Sequence, residues 1–363
     1  MKFLYFLLIF VFFSCASNDK NLDETNKTSV KYAENFELIE RKDFLELRIL
    51  NPEIDGVERK YALVKRGTNT SIPSDLEKIE VPIQKMGAFS TSFIGMIAEL
   101  DACQSVAATT GENYIYNKTI KQQVKKKQTR CFSSEADIQA EFLLSKKINL
   151  LIYSGFGQDF PNEEKLKKIG VSCIPNYDWR EQHPLAKAEW IKFFGALLDK
   201  QEMANSYFGE VEKNYLSLQK KLKKSKVSKP KVLVGLMFGD TWNAPAGQSF
   251  LARILADSQI DYLYKKEKGT GSLSLSLEKV AVNQANCSIW LDANARSKSE
   301  LIQTNSKFKV FKAYQNNKIY SYSHAMNYFW EMNSLHPDWL LEDYAQIAGH
   351  LPAKKLHFYK RIN

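Results

Sequence analysis

The chain has 363 residues, 44% of them hydrophobic and 25% charged, the balance of an ordinary soluble protein and a length that favours two domains over one. Its net charge of +10 invites a nucleic-acid partner. The lysines are scattered or lie on helix faces such as residues 121–127 (KQQVKKK) without a recognisable binding motif, so the basic balance reads as a solvated surface and no nucleic-acid partner is expected.

Met1 and Lys2 precede FLYFLLIFVFF, an apolar run too short to remain as a membrane span, and residues 1–14 read as a secretory signal. Ser14, Cys15 and Ala16 follow at once. A small residue before a Cys at the end of such a run resembles the bacterial lipoprotein lipobox, although Phe12 and Phe13 depart from its usual residues. The resemblance implies that Cys15 is acylated and that the protein is anchored on the periplasmic side of a bacterial membrane, since several acyl chains hold stably where one is marginal. Residues 15–30 carry almost no large apolar side chains and read as a lipidated tether. Of the remaining cysteines, Cys103 and Cys131 fall in one lobe, where a bridge is one possibility, whereas Cys173 and Cys287 lie in apolar runs typical of buried thiols.

Residues 31–78 alternate polar and apolar side chains in FELIER, FLELRIL and KYALVKR, with turn residues Asn51, Pro52, Asp55 and Gly56. This predicts a β-hairpin appendage of antiparallel strands. Residues 79–198 then alternate strand and helix: IEVPIQKMGA, STSFIGMIAELDA, SVAAT, SEADIQAEFLLSKK, INLLIYSG, NEEKLKKIG, VSCIPN and PLAKAEWIKFFGALL. Such alternation predicts an α/β lobe with a parallel sheet. Residues 199–225 read as one long helix, capped by Asp199 with Glu202 three residues on and striped by Met203, Tyr207, Val211, Tyr215, Leu218 and Leu222. At about 1.5 Å per residue it is roughly 36 Å long, enough to join two lobes. Residues 226–363 resume the alternation, with DTWNAPAGQ expected as a loop. The predicted fold is α/β: two three-layer lobes joined by one helix, with the β appendage in front.

No GxSxG, GxxxxGK, GxGxxG or HExxH pattern occurs, and the five histidines do not fall at metal spacing, so no catalytic or metal-binding residue is assigned and no cofactor is expected. His183 and His336 each precede a proline and read as helix-start signals.

Leader and lipobox, lobe, long helix, lobe: this order resembles the substrate-binding lipoproteins of ABC importers for iron chelates and vitamin B12, the helical-backbone class of periplasmic binding proteins. Two local matches sharpen the resemblance, Glu141 in AEFLLSKKINLLIYSG and Glu278 in LEKVAVNQANCSIWLDAN, each at the start of a helix leading into a strand. The family's Pro-Asp at that place is Ile148 and Asn149 in one lobe and Ala285 and Asn286 in the other. The resemblance implies a non-enzymatic, monomeric carrier that delivers a cobalamin-like or iron-chelate (siderophore or haem) ligand to an ABC permease dimer, with Glu141 and Glu278 docking on the permease.

In open α/β sheets ligands bind beyond the carboxyl ends of the strands. The strand-end candidates are Phe89, Ser90, Thr91, Tyr153, Gly155 and Trp179 from the first lobe, and Phe238, Trp242, Asn294, Arg296, Tyr328 and Trp330 from the second. Tyr and Trp offer rigid faces suited to a flat conjugated ligand, and Arg296 could pair a ligand carboxylate or phosphate. A zinc or manganese carrier would need His or carboxylate clusters that these loops lack, while an envelope enzyme or a glycan-binding surface protein could use the same cleft.

Overall fold

A computed structural model of the chain describes residues 30–52 and 58–363; the signal, Cys15 and nearly all of the tether lie outside the described residues. The alternating segment forms the strands Phe36–Glu40, Leu45–Leu50 and Glu58–Lys65, antiparallel in sequence order. A fourth strand, Glu77–Val81, joins them in parallel, so the appendage is a mixed four-stranded sheet rather than an antiparallel hairpin. The expected single strand IEVPIQKMGA is therefore two. Pro82 has no N–H to continue the ladder, the chain leaves the sheet, Ile83 donates to the carbonyl of Leu197, and Met86–Ala88 opens the next sheet. The appendage is not free-standing: Phe36 meets Trp190 with ring centroids 4.5 Å apart, within one continuous core.

The first lobe is a parallel sheet in the order Arg130–Phe132, Val106–Thr110, Met86–Ala88, Leu150–Ser154, Ser172–Asn176. The expected helix SEADIQAEFLLSKK is a short turn, Glu135–Asp137, boxed by Ser134 and Asp137, and then a separate helix, Ala140–Ser145. In the second lobe Asp261–Tyr262, Lys231–Val234 and Ile289–Leu291 run parallel. Beside them stands an antiparallel sheet of Leu236–Phe238, Thr241–Pro245 and Ser272–Ser276, whose middle strand lies where the loop DTWNAPAGQ was expected. That hairpin is driven by Trp242, which is fully buried against Trp290 at 5.2 Å and beside Phe308 and Phe311.

The connecting helix spans Gln201–Leu222, about 33 Å at the helical rise. Lys200, not Asp199, is its N-cap, and no side chain caps it; Asp199 sits at φ 55°, in the left-handed region, and turns the chain out of the preceding helix. The buried face is Ala204, Phe208, Val211, Tyr215 and Leu222, whereas Met203 is exposed and Tyr207 and Leu218 are half-buried. The face is displaced because the helix is held from two sides, by Ile191–Leu197 and by Pro337–Ile347. Tyr207 hydrogen-bonds His336 Nε2 at 2.7 Å, and Tyr215 donates to Asp257 at 2.6 Å.

Late in the chain, helix Met326–Met332 crosses back to pack on helix Thr91–Glu99 of the first lobe. A Cβ on Gly95 would lie 2.4 Å from the carbonyl oxygen of Glu331, so the close approach requires glycine. The Glu331 carboxylate accepts from the backbone N–H groups of Tyr116 and Asn117 at 2.8 and 3.0 Å.

The segment entering the appendage is fastened in the same way. Glu189, fully buried, accepts from the N–H groups of Lys31, Tyr32 and Ala33 and from Lys192 Nζ, all within 3.0 Å. Glu189→Ala would take the acceptor from these backbone donors and remove the buried Lys192 ion pair. It is expected to lower unfolding free energy by about 3–5 kcal/mol, with Glu189→Gln losing less, as read from denaturant midpoints.

Candidate functional site

The strand ends of the two lobes face each other across a cleft containing two adjoining cavities. The first, about 460 Å³, is bordered by Ser90, Thr91, Ser92, Ser154 and Phe156 of the first lobe and by Asn333 and Ser334. The second, about 350 Å³, is bordered by Leu236, Asn243, Pro245, Phe250, Asp292 and Tyr322 of the second lobe. Trp179, Lys187 and Trp330 border both.

Ser90, Thr91, Trp179 and Trp330 are thus the sequence-predicted residues that the fold brings to the cleft. Trp179 is held by a hydrogen bond from Nε1 to the carbonyl of Gly155 at 3.0 Å and lies 4.9 Å from the Phe156 ring, and Gly155 itself backs onto Tyr177 rather than lining a cavity. Trp330, assigned to the second lobe from sequence, rides on the helix that packs against the first. The remaining candidates stand elsewhere. Phe89, just past strand Met86–Ala88, and Tyr153, next to the end of strand Leu150–Ser154, are buried and share Phe160 as a ring neighbour in one apolar cluster. Trp242 is consumed by the aromatic cluster, and Phe238 sits fully out in solvent at the hairpin end, 78% exposed. Asn294 and Arg296 are exposed beyond the cavity, with Arg296 N–H donating to Glu300. Tyr328 packs between Tyr116 and Phe358.

Most of the bordering residues were not among the sequence candidates, Lys187, Phe250, Asp292 and Tyr322 among them. Asp292 follows strand Ile289–Leu291 with φ 62°, a left-handed conformation that aspartate tolerates better than most residues. It accepts from the Tyr359 hydroxyl. Tyr322 lies flat on Phe329, centroids 3.8 Å apart and planes within 6°.

Residues 89–325, more than half of the chain, match the periplasmic binding protein family. The chain belongs to that family. An uncharacterized lipoprotein of Methanocaldococcus jannaschii is 25% identical over 94% of this chain and 87% of its own length. Among solved structures, a possible iron-binding periplasmic solute-binding protein of Staphylococcus epidermidis is similar, with a TM-score of 0.56 and 17% identity over 73% of this chain and 98% of that one. So is a periplasmic haem-binding protein of Vibrio cholerae, with a TM-score of 0.56 and 16% identity over 74% of this chain and 100% of that one. These structures share the two-lobed fold of the periplasmic binding protein family.

Glu141 and Glu278 are exposed in the first turns of helices Ala140–Ser145 and Leu277–Asn283, one on each lobe, and Lys307 Nζ lies 3.6 Å from Glu278. Cys103, Cys131, Cys173 and Cys287 are free thiols. Among the described residues no three His, Cys, Asp or Glu side chains gather as metal ligands, and no helix is long and apolar enough to cross a membrane.

The cleft's ionisable groups are governed by desolvation. Burial raises the Asp178 carboxyl and lowers the Lys187 ammonium from their ordinary values. It pushes Glu181 up to about 7 and Asp292 up to about 6, against 4.5 and 3.8 ordinarily, although hydrogen bonds from Glu34, Asn35 and Trp190 to Glu181 and from Tyr359 to Asp292 oppose it. For both acids the folded chain holds its proton to a higher pH than the unfolded chain. Between about pH 4 and pH 7 the folded state therefore binds more protons, and the stability these two groups contribute falls as pH rises. Thermal melts across that range should show Asp292→Asn and Glu181→Gln each flattening the decline. An unchanged slope in both variants would mean that the two acids do not titrate in this window.

Proposed function

We propose that this chain is the solute-binding component of an ABC import system, capturing an iron chelate or a cobalamin-like ligand between its lobes and delivering it to a permease dimer. The observation that carries the reading is the inter-lobe cleft, with the indoles of Trp179 and Trp330 bordering both of its cavities. Together the two cavities suit a ligand larger than a single ion or amino acid. Both indoles are partly exposed, 37% and 49%, an arrangement that leaves apolar faces for a ligand to cover. A haem-binding neighbour and a possible iron-binding one, similar in fold, support this substrate class. Binding and release would be the whole chemistry; no step of bond making is assigned to any residue. The anchor would be lipid on Cys15, and the functional unit one chain.

Titrating the full chain in mild detergent with cyanocobalamin, cobinamide, haemin and ferric siderophores, with tryptophan fluorescence as readout and calorimetry on any hit, is expected to give saturable one-to-one binding. Trp330→Ala should weaken it by roughly ten-fold or more, the effect of removing a central aromatic contact. No binding across the set, with binding to a glycan instead, would replace the carrier reading.

Glu141 and Glu278 would be the two docking carboxylates, one per lobe on a two-fold permease. The double variant Glu141→Ala, Glu278→Ala is expected to bind ligand as the unaltered chain does and to lose uptake in cells that depend on this protein. Normal uptake would remove the docking role from this pair.

A further inference from the structure

Lys187 stands on helix Pro184–Glu189 at the junction of the two cavities, half-buried, with its ammonium 4.3 Å from the centroid of the Phe250 ring. Among the described residues that ring contact is its direct partner; no oxygen atom accepts a hydrogen bond from Nζ. The acids that face it electrostatically, Asp178 and Glu181, are engaged elsewhere. Asp178 accepts from the Ser92 hydroxyl at 3.1 Å. Glu181 accepts from the N–H groups of Glu34 and Asn35 and from Trp190 Nε1 at 3.0–3.2 Å. Asp292, across the second cavity, is tied to Tyr359. A partly desolvated ammonium with three donors and no oxygen acceptor is costly, and a ring face satisfies it only in part.

The walls on both sides of the junction mix apolar surface with polar groups. On the first-lobe side Ser90, Thr91, Ser92 and Ser154 stand with Phe156. On the other side Leu236, Ala244, Pro245 and Phe250 stand with Asn243 and Ser272. We propose that Lys187 anchors the cargo, and that the cargo carries an anionic oxygen group, carboxylate or catecholate, on a largely apolar frame. The anionic group would sit at the junction beside the two indoles, its apolar frame against the apolar surface that both cavities offer. This rests on the carrier reading and narrows it: a carrier for a neutral chelate or corrinoid would gain nothing from the cation.

The test uses probes paired by charge: haemin with its dimethyl ester and cyanocobalamin with its monocarboxylic acid share a frame, and a ferric tricatecholate with a neutral ferric trihydroxamate compares an anionic with a neutral iron chelate. Binding to the full chain is compared with Lys187→Met, which keeps the aliphatic stem beside Phe250, and Lys187→Arg, which keeps the charge; circular dichroism and melting check that each is folded. The expected result is that the unaltered chain prefers the anionic member of the pair it binds. Lys187→Met should then lose about ten-fold or more for that member, the loss of one charge-assisted hydrogen bond. Its affinity for the neutral member should stay within about two-fold, and Lys187→Arg should retain most of the preference. Equal affinity for both members, preference for the neutral one, or unchanged anionic binding in folded Lys187→Met overturns the proposal while leaving a carrier in place. Should Lys187→Met not fold, the charge preference of the unaltered chain and of Lys187→Arg decides. Failure of every probe to bind the unaltered chain defeats the carrier reading and this inference with it.

Discussion

Helix Gln201–Leu222 is held on one side by Ile191–Leu197 and on the other by Pro337–Ile347, and the geometry of the cleft follows from that double grip. A helix free on one face could tilt; one whose Ala204, Phe208, Val211 and Tyr215 are buried and whose Tyr207 is hydrogen-bonded to His336 cannot do so without opening packed surface. Helix Met326–Met332 adds a second tie. Its backbone is keyed into Gly95 of the first lobe while its Phe329 stacks on Tyr322 of the second, so Trp330 is positioned by both lobes at once. Two ties of this kind favour small adjustments of the cleft over a wide hinge swing.

One device recurs wherever a distant segment must be fastened. A carboxylate on a helix or its approach receives successive backbone N–H groups from a segment outside its own element: Glu189 from residues 31–33, Glu181 from 34 and 35, Glu331 from 116 and 117, and Asp343 from 357, 358 and 359. Incoming loops present N–H groups that no ladder satisfies, and an ionised carboxylate is the strongest small acceptor a side chain can offer them. For Glu181, Glu331 and Asp343 the bonds to backbone donors oppose, without cancelling, the rise that desolvation imposes.

This device explains what could be read from the sequence and what could not. The strands of the first lobe are legible because LLIY and SCIP are short apolar runs between helical patterns, and the connecting helix because it is long and free of proline. Its start was misplaced because the Asp199 and Glu202 pattern mimics a cap, while the chain spends Asp199 on a left-handed turn. Carboxylates such as Glu189 look like ordinary helix surface, since their partners lie some 150 residues away. In the site, the strand-end rule found Ser90, Thr91, Trp179 and Trp330, yet also took in Phe89, Tyr153 and Trp242, whose orientation depends on where the pleat stops. It passed over Lys187 because that residue is inside a helix, and over Asp292 because the loop begins two residues earlier than Asn294.

The electrostatics of the cleft turn on the same desolvation. Apolar walls raise the acids and depress the lysine, so every charge there is favoured only as far as it is paired. The acids have partners within the fold: Ser92, Tyr359, and the N–H groups of Glu34 and Asn35. Lys187 has a ring face. A ligand oxygen at that point would give the Lys187 ammonium the oxygen acceptor that it lacks among the described residues, and covering the indoles of Trp179 and Trp330 would at the same time remove water and strengthen that pairing. Apolar burial and charge recognition then reinforce each other in the bound state, whereas in the open cleft solvent screens the same ammonium and weakens its pull.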